Sequence, residues 1–99
     1  MNYQLLISEE AFWDIEDAVK YYSEIPAENL DNRFLKQLKD GLNKITKKPL
    51  HYALKYKQIR IYNLKNFPYQ IHFSVEENRI LVLGVFHGKS DPKSWEERL

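Results

Sequence analysis

Cysteine is absent from the 99 residues. That excludes a disulfide scaffold, a thiolate zinc site and a cysteine nucleophile. No apolar run approaches the roughly 20 residues of a membrane-spanning helix. The opening MNYQLLISEE has too short an apolar run for a signal peptide and no basic leader, which predicts a cytoplasmic protein with no membrane partner. No segment is low in complexity, and only three glycines and four prolines are present. Hydrophobic residues make up 43% and aromatics 14%, enough for a single domain over residues 1–99 to bury one core without staples.

Acidic residues are nearly missing from one third of the chain. Residues 33–65 hold ten Lys and Arg against Asp40 alone, a balance of +9. Residues 1–32 show the reverse, with Lys20 against eight acids, a balance of −7. The remainder comes to −1, so a net charge of +1 conceals a strong segregation. A basic block attracts polyanions when its side chains share one face of the fold, and is otherwise a solvated surface.

Hydrophobic periodicity divides the chain into six pieces. YQLLI, from Tyr3 to Ile7, reads as a short strand. Ser8 is placed to cap a helix, and Glu9 and Glu10 suit its positive end. Phe12, Ile15, Val19 and Tyr22, with Ala11 and Ala18, then form an apolar stripe that ends near Ser23, before Pro26. A second helix is predicted from about Asn29 to Lys47. Phe34, Leu35, Leu38, Leu42 and Ile45 point inward and Arg33, Lys36, Lys39, Lys44 and Lys47 outward, until Pro49 stops it.

Residues Pro49 to Tyr56 read as a loop, after which the period becomes two. Ile59 and Ile61 alternate with Arg60 and Tyr62, and Asn66-Phe67-Pro68 makes a turn. Tyr69, Ile71, Phe73 and Val75 alternate with Gln70, His72 and Ser74, as in a half-buried strand. Glu77-Asn78 is a tight turn into RILVLGVF, an almost wholly apolar strand ending at His87. Asp91 can cap a last helical turn with Pro92 at its first position, returning Trp95 to the core. The expected fold is α+β, with an N-terminal strand, a helical hairpin on a small antiparallel sheet (β-α-α-β-β-β) and a short C-terminal helical turn. Arg60, Gln70, His72 and Ser74 should then share the sheet face away from the hairpin.

RIYNLKNFPYQIHFSVEENRILVLGVFHGKSDPKSW resembles the C-terminal half of the RelE/ParE toxin superfamily. The resemblance rests on Arg60 before the turn, Phe67-Pro68-Tyr69 opening the next strand, the apolar strand closing in His87, and Asp91-Pro92 followed by Trp95. A strand and two helices with the pattern AFWDIEDAVKYY extend it across the chain. The resemblance implies a growth-inhibiting toxin of a type II toxin–antitoxin (plasmid stabilisation) module, bound by a cognate antitoxin. ParE-like members inhibit DNA gyrase, and RelE-like members are ribosome-dependent mRNA interferases. The His-x-x-x-Asp-Pro…Trp ending is more like ParE. Ser90 stands where the family commonly carries arginine, with Lys89 one residue earlier. That departure keeps a third reading open, a toxin fold retained as an inactive interaction protein.

Metal-free RNA cleavage needs a general acid and base and fixed cations around one phosphodiester. His87 is the acid/base candidate, since histidine is the side chain whose unperturbed pKa lies near neutrality, and Arg60 the fixed cation, with Lys55, Lys57 and Lys89 as further target-binding residues. Tyr62 and Tyr69 can stack on a base. Each has a plainer reading: His87 can bond the backbone of the Gly-Lys turn, and Arg60 can pair with Glu76 or Glu96. Lys55 and Lys57 can simply be solvated. His72 fits an exposed sheet position or a place under the C-terminal turn, and Trp13, Tyr21 and Tyr22 fit core or antitoxin-contact positions. His51, His72 and His87 lack metal-ligand spacing, so neither a metal nor another cofactor is expected. A non-catalytic nucleic-acid module would explain the basic block, yet no helix-turn-helix, zinc finger or RNP-like motif is present.

Overall fold

A computed structural model describes residues 2–98. The elements are β1 (Gln4–Ile7), α1 (Glu9–Ser23), α2 (Leu30–Lys47), a 3-10 turn (Pro49–His51), β2 (Leu54–Tyr56), β3 (Ile59–Asn63), β4 (Tyr69–Glu76), β5 (Arg79–His87) and α3 (Pro92–Glu96). The α+β class is borne out. The sheet has five strands in the order β1-β5-β4-β3-β2, and it is mixed. β1 pairs parallel to β5, with Leu5 beside Ile80 and Ile7 beside Val82, whereas β2 to β5 are antiparallel.

Local chemistry accounts for the helix ends. Ser8 accepts the Ala11 N–H at 3.0 Å and starts α1, and Asp91 accepts the Lys93 N–H at 3.0 Å and starts α3 beside Pro92. Asn29, with φ 51°, turns the chain into α2. The two long helices cover one face of the sheet, here the front. Phe34, Leu38 and Ile45 of α2 and Ala11, Ala18 and Tyr22 of α1 bury against Ile71, Phe73, Ile80, Val82 and Val85. At one end Tyr22 and Phe34 each meet Phe67 and Tyr69 edge to face, with ring centroids 5.1 and 6.1 Å apart for Tyr22 on Phe67 and on Tyr69. Gly41 permits this approach on α2, because a Cβ there would lie 2.7 Å from the Tyr62 ring.

Several expectations need correction, beginning with the antiparallel sheet, which the parallel β1–β5 pair makes mixed. The segment read as a loop from Pro49 to Tyr56 contains the 3-10 turn and β2, a three-residue strand too short to show a period. Arg60 does not share a face with Gln70, His72 and Ser74. It lies opposite Phe73 and Tyr62 opposite Ile71, so both are on the front, while Ile61 lies opposite His72 on the back. Both faces of this sheet bury apolar side chains, so hydrophobic alternation alone did not say which set meets the helices.

Phe12 and Leu35 are also turned outward, at 50% and 40% exposure. Phe12 follows Ala11, and the line Ala11–Ile15–Ala18–Tyr22 makes the contact. A 100° step per residue carries Phe12 off that line.

The back face is covered only in part. α3 lays Trp95 on His72 and near Tyr56 and Phe86. Arg98 then reaches over the edge of β5 to grip Asp14 of α1 through both nitrogens, the longer bond 2.9 Å. Asp14 also accepts the Val85 N–H at 3.0 Å, where β1 no longer pairs with β5. Gly84 leaves room for the clasp: a Cβ there would meet the Phe86 ring at 2.3 Å and Arg98 Nη1 at 2.9 Å.

Candidate functional site

His87 ends β5 opposite Tyr69, its ring set edge-on to the tyrosine at 5.3 Å. Its Nδ1 accepts the Lys89 N–H at 3.1 Å, so the available proton sits on Nε2. The turn beyond is held by Gly88 N–H to Pro68 O and Ser90 N–H to His87 O, at 2.7 and 2.9 Å. Lys89 is exposed beside it and Ser90 half-buried. This cluster of His87, Lys89 and Ser90 occupies the end of the sheet formed by the Asn66–Pro68 turn.

Arg60 lies away from that end, opposite Phe73 in the middle of β4. Its guanidinium donates to the carbonyl of Tyr52, and neither Glu76 nor Glu96 forms an ion pair with it among the described residues. Lys55 on β2 and Lys57 in the β2–β3 turn are exposed near it, Lys57 with φ 47°. Arg60 lies opposite Phe73 and His87 opposite Tyr69. Four residues of β4 and two strand spacings therefore separate them, about 16 Å between backbones. The fold gathers the sequence candidates into two groups, His87 with Lys89 and Arg60 with Lys55 and Lys57, and does not join His87 to Arg60.

His72 is fully buried and lies under the C-terminal turn. Its Nδ1 lies 2.9 Å from the Tyr56 hydroxyl and its Nε2 3.3 Å from Gln70 Oε1. A neutral ring fits both, accepting from Tyr56 and donating to Gln70. Phe86 and Trp95 close over it at 4.7 and 4.8 Å. Burial, with the Arg98 charge nearby, lowers its pKa to about 4. The Tyr56 hydroxyl is pushed up by the same burial. His51 is exposed and edge-on to Tyr52. No group of three His, Asp or Glu side chains among the described residues could hold a metal.

The basic face foreseen on α2 is present. Arg33, Lys36, Lys39, Lys44 and Lys47 are all exposed, and a 100° step places them within an arc of about 140°, opposite Phe34, Leu38 and Ile45. None forms an ion pair with an α1 acid among the described residues. α1 presents a contrasting surface, with Trp13 and Tyr21 exposed at 56% and 58% among Glu9, Glu10, Glu16 and Asp17. Tyr22, grouped with them in the sequence, is core. The Asp14–Arg98 clasp had no sequence signal, since its partners lie 84 positions apart.

The chain matches the family described as the ParE toxin of the type II toxin–antitoxin system, parDE, over residues 5–92. No curated protein matches this sequence. Among solved structures it is similar to a chain of the chromosomal ParDE toxin–antitoxin system from P. aeruginosa, at TM-score 0.76 and 14% identity, covering 86% of this chain and 95% of that one. It is also similar to a mutant of the E. coli toxin RelE in the free state, at TM-score 0.59 and 16% identity, covering 99% and 94%.

Proposed function

Since this chain belongs to the ParE toxin family of type II toxin–antitoxin systems, we propose that it is the toxin of such a module, held inactive by a cognate antitoxin and arresting growth by inhibiting DNA gyrase. The observation that supports gyrase over messenger RNA is the separation of His87 from Arg60. Cutting a phosphodiester without metal requires the proton-transferring group and the fixed cation to meet at one phosphorus. Here each is engaged locally, His87 with the Lys89 N–H and Arg60 with the Tyr52 carbonyl, and four residues of β4 separate their register positions. Capture of a protein target makes no such demand. It needs exposed, chemically distinct surface, which the segment from Gly88 to Ser94 and the basic face of α2 provide.

Expressing the protein without its antitoxin tests this. Growth arrest with DNA breakage and intact message is expected, and toxicity should survive His87→Ala and Arg60→Ala. Message cleaved by the wild type and spared by both variants, with a rate loss of about 10²–10⁴ for His87→Ala, would replace gyrase by RNA as the target.

A further inference from the structure

We propose that the outer face of the α1–α2 hairpin is self-complementary, so that two copies of this chain associate with the acidic helix of each on the basic helix of the other. A step of about 100° per residue puts Glu9, Trp13, Glu16, Asp17 and Lys20 on the side of α1 turned away from Ala11, Ala18 and Tyr22. α2 turns its lysines away from the sheet in the same way. An acidic strip and a basic strip thus lie side by side, and no ion pair joins them among the described residues. Trp13 stands exposed within the acidic strip, with Phe12 beside it and Leu35 exposed on α2.

Symmetry selects the mode. A twofold axis running between the helices and parallel to them carries α1 of one copy over α2 of the other. An axis across the helices would lay α1 on α1 and α2 on α2, with like charges opposed. Tyr22 near the end of α1 packs on Phe34 near the start of α2. Counting from there along antiparallel helices brings Asp17 level with Lys39 and Glu9 level with Lys47. The parallel axis keeps those levels, so each acid meets that lysine of the other copy. Lys20 and Asp40, each opposite in sign to its own helix, lie about one turn apart across the same interface, as do Glu16 and Lys36. A partner of one sign laid across the hairpin would gain on one helix and lose on the other, whereas a second copy matches both. A net charge of +1 adds little repulsion between copies. Helices of 15 and 18 residues, about 10 Å apart, offer roughly 1,000 Å² of interface over two copies. That is the size of a transient contact, and the dimer it forms is micromolar and salt-sensitive.

Sedimentation equilibrium of the full chain tests this. A monomer–dimer equilibrium is expected, weakened roughly tenfold as salt rises from about 0.05 to about 0.5 M. Asp17→Lys and Lys39→Glu should each weaken the dimer about tenfold, since each sets like charges together twice, with an unchanged Tm in dilute solution. An equimolar mixture of the two variants should restore it, because each substituted position then faces its opposite sign. Trp13→Ser should weaken it by a similar factor at low and high salt alike. A chain that stays monomeric at millimolar concentration would overturn the proposal. So would an association indifferent to salt, an open-ended series of larger species, or a mixture no tighter than either variant alone.

Discussion

The front and back of the sheet hold their cover in different ways. On the front, α1 and α2 together present Ala11, Ala18, Tyr22, Phe34, Leu38 and Ile45 to a floor of aliphatic and aromatic residues. Many contacts of one kind share the load, and deletion of one leaves the rest in place. On the back, a helix of five residues is held by Trp95, a neutral buried histidine and the Asp14–Arg98 pair. Each of those contacts is polar or amphipathic and has no duplicate. The front rests mainly on apolar burial, which changes little with pH, whereas the back depends on charge states. A short helix can cover an open sheet only when specific groups fasten it.

The comparison is broken most strongly on the front. Phe34→Ala removes a fully buried ring that touches Tyr22, Phe67 and Tyr69. It should cost about 3–5 kcal/mol in denaturant unfolding, with no dependence on pH. A loss below about 1 kcal/mol would mean that the aromatic cluster repacks and the front is no firmer than the back.

Next comes the clasp. Asp14→Ala strips Arg98 of its carboxylate and leaves the Val85 N–H without its acceptor. Both side chains keep about a fifth of their surface exposed, so the cost should be about 2–3 kcal/mol, below that of a fully buried pair. Arg98→Ala should cost somewhat less, and the double variant little more than Asp14→Ala alone. Additive losses would show the pair to be uncoupled.

The effect that vanishes at neutral pH is the most diagnostic of the back face. The His72 pKa, lowered to about 4 by burial, means that the unfolded chain binds more protons than the folded one between pH 6.5 and 4. Stability should therefore be full above pH 6.5 and fall as pH drops to about 4, by up to about 3 kcal/mol. His72→Gln should flatten that window whatever it does to stability at neutral pH. An unchanged acid limb in the variant would assign the loss to the carboxylates.

Much of this was legible in the chain. Ser8, Asp91 and Pro92 announced helix starts through side chains that act within three residues. The alternation from Tyr69 to Val75 and the nearly continuous apolar run from Ile80 to Phe86 announced β4 and β5. β2 was not legible, because three residues carry no period and its stability comes from pairing with β3. The face of Arg60 was not legible either. Ile59 and Ile61 look like a core set, but they meet the back of the sheet, and Arg60 reaches the front to bond Tyr52. Of the site candidates, their exposure could be read in advance and their distance apart could not.

The residue string alone was enough to specify the class of fold, the two amphipathic helices, the order of the main strands and the basic face of α2. All of these follow from interactions between residues a few positions apart, or from charge counted along one helix. It took the folded chain to establish that β1 lies parallel to β5, that Arg98 crosses 84 positions to hold Asp14, and that His87 and Arg60 stand apart on the sheet. Those arrangements depend on which segments meet after chain reversals, and strand register converts a shift of one residue into a change of face.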